Sequence, residues 1–271
     1  AGRDALRVAG LSPAQLGLII VATITPEHLL PSTASLVQDA LGASHAVAFD
    51  LIAGCTCFIY ALSLATDHIR AGSAQHVLVI GAETLSRIVD WTDRNTCVLF
   101  GDGAGAVVVE ARENGDAGIV DCLLHTNGDE AERLWTKSSG SAFRPYIRQD
   151  MIDSGDITPI VEGRKVYALA VTHMPQVTRD ILEKNGLSLD DLDLVIFHQA
   201  NLRINEGVQK RLGLPDDKVF NNIQKYGNTT AGTIPIAYHE VLEQGLVKPG
   251  DLVAFVGLGS GLNWGAVLYR C

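Results

Sequence analysis

Short apolar runs alternate with helical patterns along the chain. The segments 16–23, 77–81 and 194–197 are continuously apolar, which is typical of strands buried on both faces of a parallel sheet. The run 46–52 is likewise predicted to be a buried strand, and 58–65, which is apolar on most sides, is predicted to be a buried helix. Strands that alternate with helices in this way predict α/β layers with mostly parallel sheets.

The second half of the chain repeats the first. Four pairs of segments correspond in the same order: 3–12 with 179–188, 18–21 with 194–197, 54–56 with 227–229, and 105–109 with 265–269. Because the order is kept, we interpret the pattern as an internal duplication. Two such halves packed about a pseudo-twofold axis are expected to bring Cys55 and Asn228 to equivalent helix N-termini that face one another.

Three glycines within 101–105 precede the apolar run 106–110. A glycine pattern that binds phosphate leads into a helix, whereas this one leads into a strand, so we interpret it as a tight turn with close packing. The next apolar segment, 119–124, could pair with 106–110 as a β-hairpin, or the opening strand of the second half could lie within 118–126 or the loop region after it.

Composition narrows the class of protein. The chain has 271 residues, 47% hydrophobic and 19% charged, which predicts a compact globular protein with a sizeable core. The formal net charge of −10 argues against a general nucleic-acid binder, and no apolar run reaches the roughly 18 residues of a membrane span. The five cysteines lack metal-ligand spacing and the N-terminus has no signal-peptide pattern, which predicts reduced thiols in a cytoplasmic protein.

Cys55 is the candidate nucleophile. It lies between the predicted strand 46–52 and the predicted helix 58–65, at a helix N-terminus where unpaired N–H groups and the helix dipole favour a thiolate. Gly54 allows a sharp turn and leaves space for a substrate. Cys57 is interpreted as a packing residue. The alternative for Cys55 is a buried structural cysteine, because free cysteine is among the most buried residue types.

Two further polar residues are expected near Cys55. His198 directly follows the buried strand 194–197, at the carboxyl end where α/β proteins place their ligands, and Asn228 is aligned with Cys55 in the repeat. The glycine-rich segment 257–261 follows another strand, and its N–H groups could form an oxyanion hole. Cysteine, histidine and asparagine together are typical of a hydrolase or an acyl-transfer catalyst. The alternatives are a satisfied core histidine and a turn asparagine.

These motifs resemble the β-ketoacyl-acyl carrier protein synthase III family, from about Gly2 to the end of the chain. The matching segments are 53–55, 101–106, 198–204, 227–229 and 259–265, of which the His-Gln-Ala-Asn-Leu-Arg stretch is highly specific. The resemblance implies a thiolase-like α/β fold whose duplicated halves form α-β-α-β-α layers. The halves are expected over 1–125 and 161–271, joined by a loop-rich connection over 126–160.

The resemblance also implies an activity, that of an acyltransferase which initiates fatty-acid synthesis. An acyl-CoA starter and malonyl-acyl carrier protein would condense with loss of CO2 to give a 3-oxoacyl-acyl carrier protein. The CoA thioester would be a substrate, no metal or other cofactor would be needed, and the enzyme would be a cytoplasmic homodimer without nucleic-acid or membrane partners. Two alternatives stay open: a related condensing enzyme or acyltransferase of a specialised polyketide or quinolone pathway, and a non-catalytic partner subunit.

The resemblance assigns roles to individual residues. Cys55 would carry the acyl group as a thioester, and His198 and Asn228 would hydrogen-bond the thioester oxygen of malonyl-acyl carrier protein. The backbone N–H groups of Cys55 and Gly259 would hold the second oxyanion. The basic residues expected to contact the carrier protein are Arg203, Lys210 and Arg211.

The sequence departs from the family pattern in two places. Many members have a phenylalanine that reaches into the partner's acyl pocket where this chain has Leu30, so a longer or branched acyl group is expected to fit. Members also usually begin with a further strand and helix, whose tryptophan and arginine grip CoA, ahead of the position of Arg3. The N-terminal half is therefore expected to lack its first strand and helix, either because the chain is incomplete or because the protein is unusual.

Overall fold

The computed structural model describes residues 1–112 and 117–271. The strands are β1 (Leu18–Ala22), β2 (Val47–Leu51), β3 (His76–Thr84), β4 (Asp102–Glu110), β5 (Gly118–Thr126), β6 (Leu134–Thr136), β7 (Pro159–Val161), β8 (Leu194–Phe197), β9 (Val219–Phe220), β10 (Leu252–Gly259) and β11 (Asn263–Arg270). The helices are α1 (Gly2–Ala9), α2 (Thr33–Leu41), α3 (Cys57–Arg70), α4 (Gln149–Asp153), α5 (Gly163–Lys184), α6 (Leu202–Leu212), α7 (Ile223–Tyr226) and α8 (Thr233–Glu243).

Two sheets have the same strand order. The first is β2-β1-β3-β4, and the second is β9-β8-β10-β11 with β5 added outside β11. β1 is parallel to its neighbours β2 and β3, and β8 is parallel to its neighbours β9 and β10. β4 then runs antiparallel to β3, and β11 runs antiparallel to β10. The repeated motifs of the sequence therefore correspond to a repeated topology.

The sheets and helices alternate in layers. One face of the first sheet packs on α1 and α2, and the outer face of the second sheet packs on α5 and α6. The apolar side chains of α3 and α8 lie in a shared core between the two inner sheet faces. This confirms the expected α-β-α-β-α arrangement. Within the described part of the chain, no helix combines the length and apolar character needed to cross a membrane.

β2 is an edge strand, so the prediction that 46–52 is buried is wrong. Val47 is 64% exposed and Ile52, just after the strand, is 72% exposed. The only polar residue of the strand, Asp50, accepts hydrogen bonds from the first N–H groups of α2, at Thr33 (2.8 Å) and Ala34 (2.7 Å). A carboxylate at a helix N-terminus satisfies unpaired donors and complements the helix dipole.

The predicted hairpin of 106–110 with 119–124 is also wrong. β4 pairs with β3, whereas β5 crosses to the second sheet and runs antiparallel to β11, with Leu124 opposite Gly265. Strand pairing depends on which edge is available in the folded chain and not on nearness in sequence. β5 belongs by sequence to the predicted N-terminal half, yet its hydrogen bonds are with the other sheet. The division of the chain into halves stays a prediction.

Candidate active site

Cys55 lies in a tight turn between the first sheet and the central helix layer. A 3-10 turn, Gly54–Thr56, leads directly into α3. Gly54 has φ +56°, and a Cβ built on it would lie 2.9 Å from the backbone nitrogen of Ser260. Only glycine suits both constraints, because an L side chain would be strained and would collide. Cys55 is 9% exposed, so its sulfur can be reached only from a confined space.

Burial dominates the electrostatics of Cys55. Desolvation raises the pKa of its thiol to about 12, with a smaller contribution from Cys57, and backbone hydrogen bonds from Cys55 and Ser260 oppose the rise. The helix N-terminus was expected to favour a thiolate, but the loss of water around a charged sulfur outweighs it. The resting thiol therefore holds its proton at neutral pH and needs a base to act as a nucleophile.

The backbone of Gly259 lies directly against Cys55. A Cβ built on Gly259 would be 2.6 Å from the nitrogen of Cys55 and 2.8 Å from its Cβ, so any side chain there would displace the nucleophile. Gly259 is the last residue of β10 and pairs with Asn263, so the strand extends further than the sequence predicted. The hydroxyl of Ser260, in the turn that follows, donates to the Leu134 carbonyl (2.5 Å) and anchors that turn.

His198 is held between two elements of the second half. Its backbone N–H donates to the Val256 carbonyl on β10 (2.8 Å), and its Nδ1 lies 2.7 Å from the hydroxyl oxygen of Thr233 on α8. His198 is 2% exposed, and burial lowers its pKa to about 3, so the resting imidazole is neutral. Its Nε2 is buried and has no hydrogen-bond partner among the described residues.

Asn228 is positioned by the first half of the chain. It forms an isolated parallel bridge with Phe100: its N–H donates to the Leu99 carbonyl (2.8 Å), and its carbonyl accepts from Gly101 (3.0 Å). Its side-chain Oδ1 accepts from the N–H of Thr230 (2.8 Å). The amide oxygen is thereby occupied, which leaves the Nδ2 hydrogens as the donors that a ligand can use.

The glycines of 101–105 explain how the two halves meet at Asn228. β4 begins at Asp102, so most of this segment is strand and the predicted tight turn is wrong, although the predicted close packing is confirmed. A Cβ on Gly101 would lie 2.1 Å from the Tyr226 carbonyl oxygen, and one on Gly105 would lie 2.7 Å from Pro235. The segment that carries Asn228 can approach β4 only because side chains are missing there.

The repeat alignment of Cys55 with Asn228 is wrong by three residues. The turn before α8 is Thr230–Gly232, and Thr230 has φ +47°, like Gly54 at the start of the turn before α3. The structural counterpart of Cys55 is therefore Ala231. The two turns pack against each other, so Cys55 and the Asn228 segment still meet, although they are not equivalent.

Glu83 is a polar residue of this region that sequence reasoning missed. It is 3% exposed near the end of β3, and its carboxylate accepts from the Thr25 hydroxyl (2.6 Å), the Ile24 N–H (3.1 Å) and the Ala231 backbone. Burial raises the pKa of Glu83 to about 7, against the effect of these hydrogen bonds. A lone acidic residue at the end of an apolar strand was the available signal. Thr233, the partner of His198, offered no such signal.

The remaining predicted site residues lie on the surface. Leu30 is 84% exposed, so within one chain it is not enclosed in an acyl pocket. Arg203, Lys210 and Arg211 are exposed on α6, whose first residue follows His198 closely in the chain. Glu206 is also exposed on this helix, so the surface is mixed in charge. Cys57, in contrast, is fully buried, and its sulfur accepts from the Ala53 N–H (2.7 Å), which confirms a packing role.

Comparisons with known proteins agree on one family. The family model described as 3-oxoacyl-[acyl-carrier-protein (ACP)] synthase III matches residues 49–128, and the model of its C-terminal part matches residues 182–271. The beta-ketoacyl-[acyl-carrier-protein] synthase III of Aquifex aeolicus (strain VF5) is 48% identical over 270 residues, which are 100% of this chain and 82% of the relative.

Solved structures have the same fold. The crystal structure of 3-oxoacyl-[acyl-carrier-protein] synthase III from Aquifex aeolicus VF5 superposes with a TM-score of 0.91 at 47% identity, covering 100% of this chain and 82% of the other. The priming beta-ketosynthase from the R1128 polyketide biosynthetic pathway has a TM-score of 0.91 at 33% identity, covering 100% and 79%. The prediction of a thiolase-like fold is confirmed.

Proposed function

The chain belongs to the β-ketoacyl-acyl carrier protein synthase III family, and we propose that it catalyses its condensation through an acyl-Cys55 intermediate. Members of this family are condensing acyltransferases that initiate fatty-acid synthesis. The starter is an acyl-CoA, the extender is malonyl-acyl carrier protein, and the product is a 3-oxoacyl-acyl carrier protein. The observation that carries the assignment of Cys55 is the close packing of Gly259 on it. That packing leaves no room for a side chain and holds the backbone of Gly259 against the nucleophile.

In the first half-reaction, the Cys55 sulfur attacks the acyl-CoA carbonyl and CoA leaves as a thiolate. The negative oxygen that forms in between is held by the backbone N–H groups of Cys55 and Gly259. Preorganised donors of this kind stabilise the transition state, and the loss of one costs about 3 kcal/mol, or roughly 100-fold in rate. Confinement of Cys55 in a site that excludes water strengthens these hydrogen bonds and protects the thioester from hydrolysis.

In the second half-reaction, malonyl-acyl carrier protein loses CO2 and its enolate attacks the acyl group on Cys55. Charge builds on the malonyl thioester oxygen as the carbon–carbon bond to CO2 breaks. We assign His198 and Asn228 to donate hydrogen bonds to that oxygen. The occupied Oδ1 of Asn228 supports this role, because it leaves the Nδ2 hydrogens as the groups of the amide that can donate.

We assign recognition of the carrier protein to the exposed basic residues of α6, namely Arg203, Lys210 and Arg211. The helix begins four residues after His198, so a carrier docked along it would have a short path to the site. Three basic residues against one acidic residue, Glu206, leave this helix face with a net positive charge on a protein of net charge −10, which favours an acidic partner and speeds its encounter.

We also propose that two copies form a homodimer in the cytoplasm. Supporting this, β2 is hydrogen-bonded on one side only among the described strands and exposes Val47 and Ile52 at its edge. A free apolar edge is a template for pairing with a second chain. The exposed Leu30 would then line an acyl pocket shared with the partner subunit. Light scattering at micromolar concentration measures the assembly, and a clean monomer would refute it. The cytoplasmic assignment is supported by the five free cysteines.

The experiment that tests the function is intact-protein mass spectrometry with a panel of acyl-CoAs, followed by addition of malonyl-acyl carrier protein. Wild type is expected to gain the mass of one acyl group and to discharge it as a 3-oxoacyl product with release of CO2. Cys55→Ala should gain no mass. Cys57→Ala is the matched control, since it removes the neighbouring thiol and should still be acylated.

Different results would point to the alternatives. An adduct that transfers to a carrier without CO2 release would indicate an acyltransferase, and failure to be acylated by either acyl-CoA or acyl-carrier protein would indicate a non-catalytic subunit. Selective use of a specialised starter would favour a condensing enzyme of a specialised polyketide or quinolone pathway; the similar R1128 priming ketosynthase belongs to a polyketide pathway.

A further inference from the structure

Thr233 has one hydroxyl hydrogen and two close polar neighbours. Its oxygen lies 2.9 Å from the carbonyl oxygen of Thr230 and 2.7 Å from Nδ1 of His198. A carbonyl oxygen can only accept, so the hydroxyl hydrogen must point to Thr230. The hydroxyl oxygen is then an acceptor toward His198, and the hydrogen of that second bond must come from Nδ1. If the Thr233 hydroxyl donated to Nδ1 of His198 instead, the Thr233 hydroxyl oxygen and the Thr230 carbonyl oxygen would lie 2.9 Å apart with no hydrogen between them.

We infer that Thr233 is a positioning residue that fixes His198 as the Nδ1–H tautomer and directs the Nε2 lone pair into the active site. The buried Nε2 without a partner among the described residues is the second observation that points this way, because it is the atom left to meet a ligand. The role of Thr233 rests on the proposed function, whereas the tautomer itself does not.

The tautomer determines what His198 can do at each stage. A neutral imidazole with a lone pair on Nε2 cannot donate to a thioester oxygen, but it can accept a proton. In the acylation step the S–H bond of Cys55 breaks and an Nε2–H bond forms, while the sulfur bonds to the acyl carbon and the bond from that carbon to CoA breaks. The departing CoA thiolate takes a proton from water.

The imidazolium formed in this way has the donor that the second half-reaction needs. Its Nε2–H faces the malonyl thioester oxygen while CO2 leaves. When the carbon–carbon bond forms and the Cys55 thiolate is expelled, Nε2 returns the proton to sulfur. One proton is taken up from solvent in each cycle, and the proton from Cys55 serves both half-reactions.

The first test reads the tautomer without any turnover. The enzyme is labelled with ¹⁵N-histidine, and the ring signals of His198 are identified by their loss in His198→Ala. Long-range ¹H–¹⁵N correlation spectra at neutral pH are expected to show a protonated Nδ1 and an unprotonated Nε2. Thr233→Ser should keep this pattern, whereas Thr233→Val should lose it. A protonated Nε2 in the wild-type resting enzyme would overturn the inference, whatever the enzyme's activity.

The second test separates the half-reactions. Single-turnover acylation of Cys55 by acyl-CoA is expected to slow by on the order of 100-fold in Thr233→Val, since a histidine in the wrong tautomer cannot take the proton. Thr233→Ser should stay within a few fold of wild type. Thr66→Val is the matched control, because the Thr66 hydroxyl donates to a carbonyl within α3 (2.8 Å) in the same way without touching His198. Equal acylation by Thr233→Val and Thr66→Val would refute the positioning role.

Discussion

Glu83 makes the stability of this enzyme depend on pH, and Glu83→Gln should remove that dependence. The carboxyl group is buried at the end of β3, where it receives hydrogen bonds from the loop after β1 and from the turn that carries Ala231. Burial raises its pKa to about 7, while in the unfolded chain the pKa is near 4.5. Between these values the folded protein binds a proton that the unfolded chain does not.

The sign and size of the effect follow from that difference. Since the folded state binds more protons between pH 4.5 and 7, the free energy of unfolding falls as pH rises through this range and levels off above it. One pKa unit is worth about 1.4 kcal/mol, so the two pKa values correspond to a loss of about 3 kcal/mol. A glutamine resembles the protonated carboxyl group and does not ionise, so it should show no such loss.

The assay is urea denaturation of wild type and Glu83→Gln at a series of pH values from 5 to 8.5. The unfolding free energy of Glu83→Gln minus that of wild type is expected to increase by about 2 to 3 kcal/mol between pH 5 and pH 8.5. In thermal unfolding the same change corresponds to a difference on the order of 5 °C in midpoint temperature. Glu240→Gln is the control. Desolvation raises the pKa of Glu240, but hydrogen bonds from Lys225 and Tyr226 outweigh it and hold the pKa at about 2, so Glu240 is ionised throughout this range. Parallel curves for wild type and Glu83→Gln would refute the reasoning.

Two further predictions concern the packing of the halves and the carrier protein. Gly101→Ala would set a methyl group 2.1 Å from the Tyr226 carbonyl oxygen and disturb the bridge that positions Asn228, so condensation should fall at least about 10-fold, by steady-state assay. Gly128→Ala, with no heavy atom within 4 Å, should be unchanged, and equal activity of the two variants would contradict this account. Lys210→Glu should raise KM for malonyl-acyl carrier protein by about 5-fold with little change in kcat, since an exposed charge contributes up to about 1 kcal/mol. Lys248→Glu is the control, because Lys248 is exposed outside α6. An equal rise in KM for Lys210→Glu and Lys248→Glu would contradict docking of the carrier protein on α6.

Local patterns in the sequence were sufficient to locate the buried strands β1, β3 and β8. Continuous apolar runs predicted β1, β3 and β8, because a strand covered on both faces has no reason to alternate polar residues. The repeat predicted the duplicated topology, and the residue types at Cys55, His198 and Asn228 indicated acyl-transfer chemistry.

Only the tertiary structure decided how these pieces meet. Nothing local distinguishes the edge strand β2 from a buried one, or tells β5 to pair with β11, because both depend on which edges remain free after folding. The pKa of Cys55 depends on how completely water is excluded, which a helix N-terminus alone does not reveal. The hydrogen bond from His198 to Thr233 spans 35 residues, so the tautomer of the histidine is a property of the packed core and not of any motif.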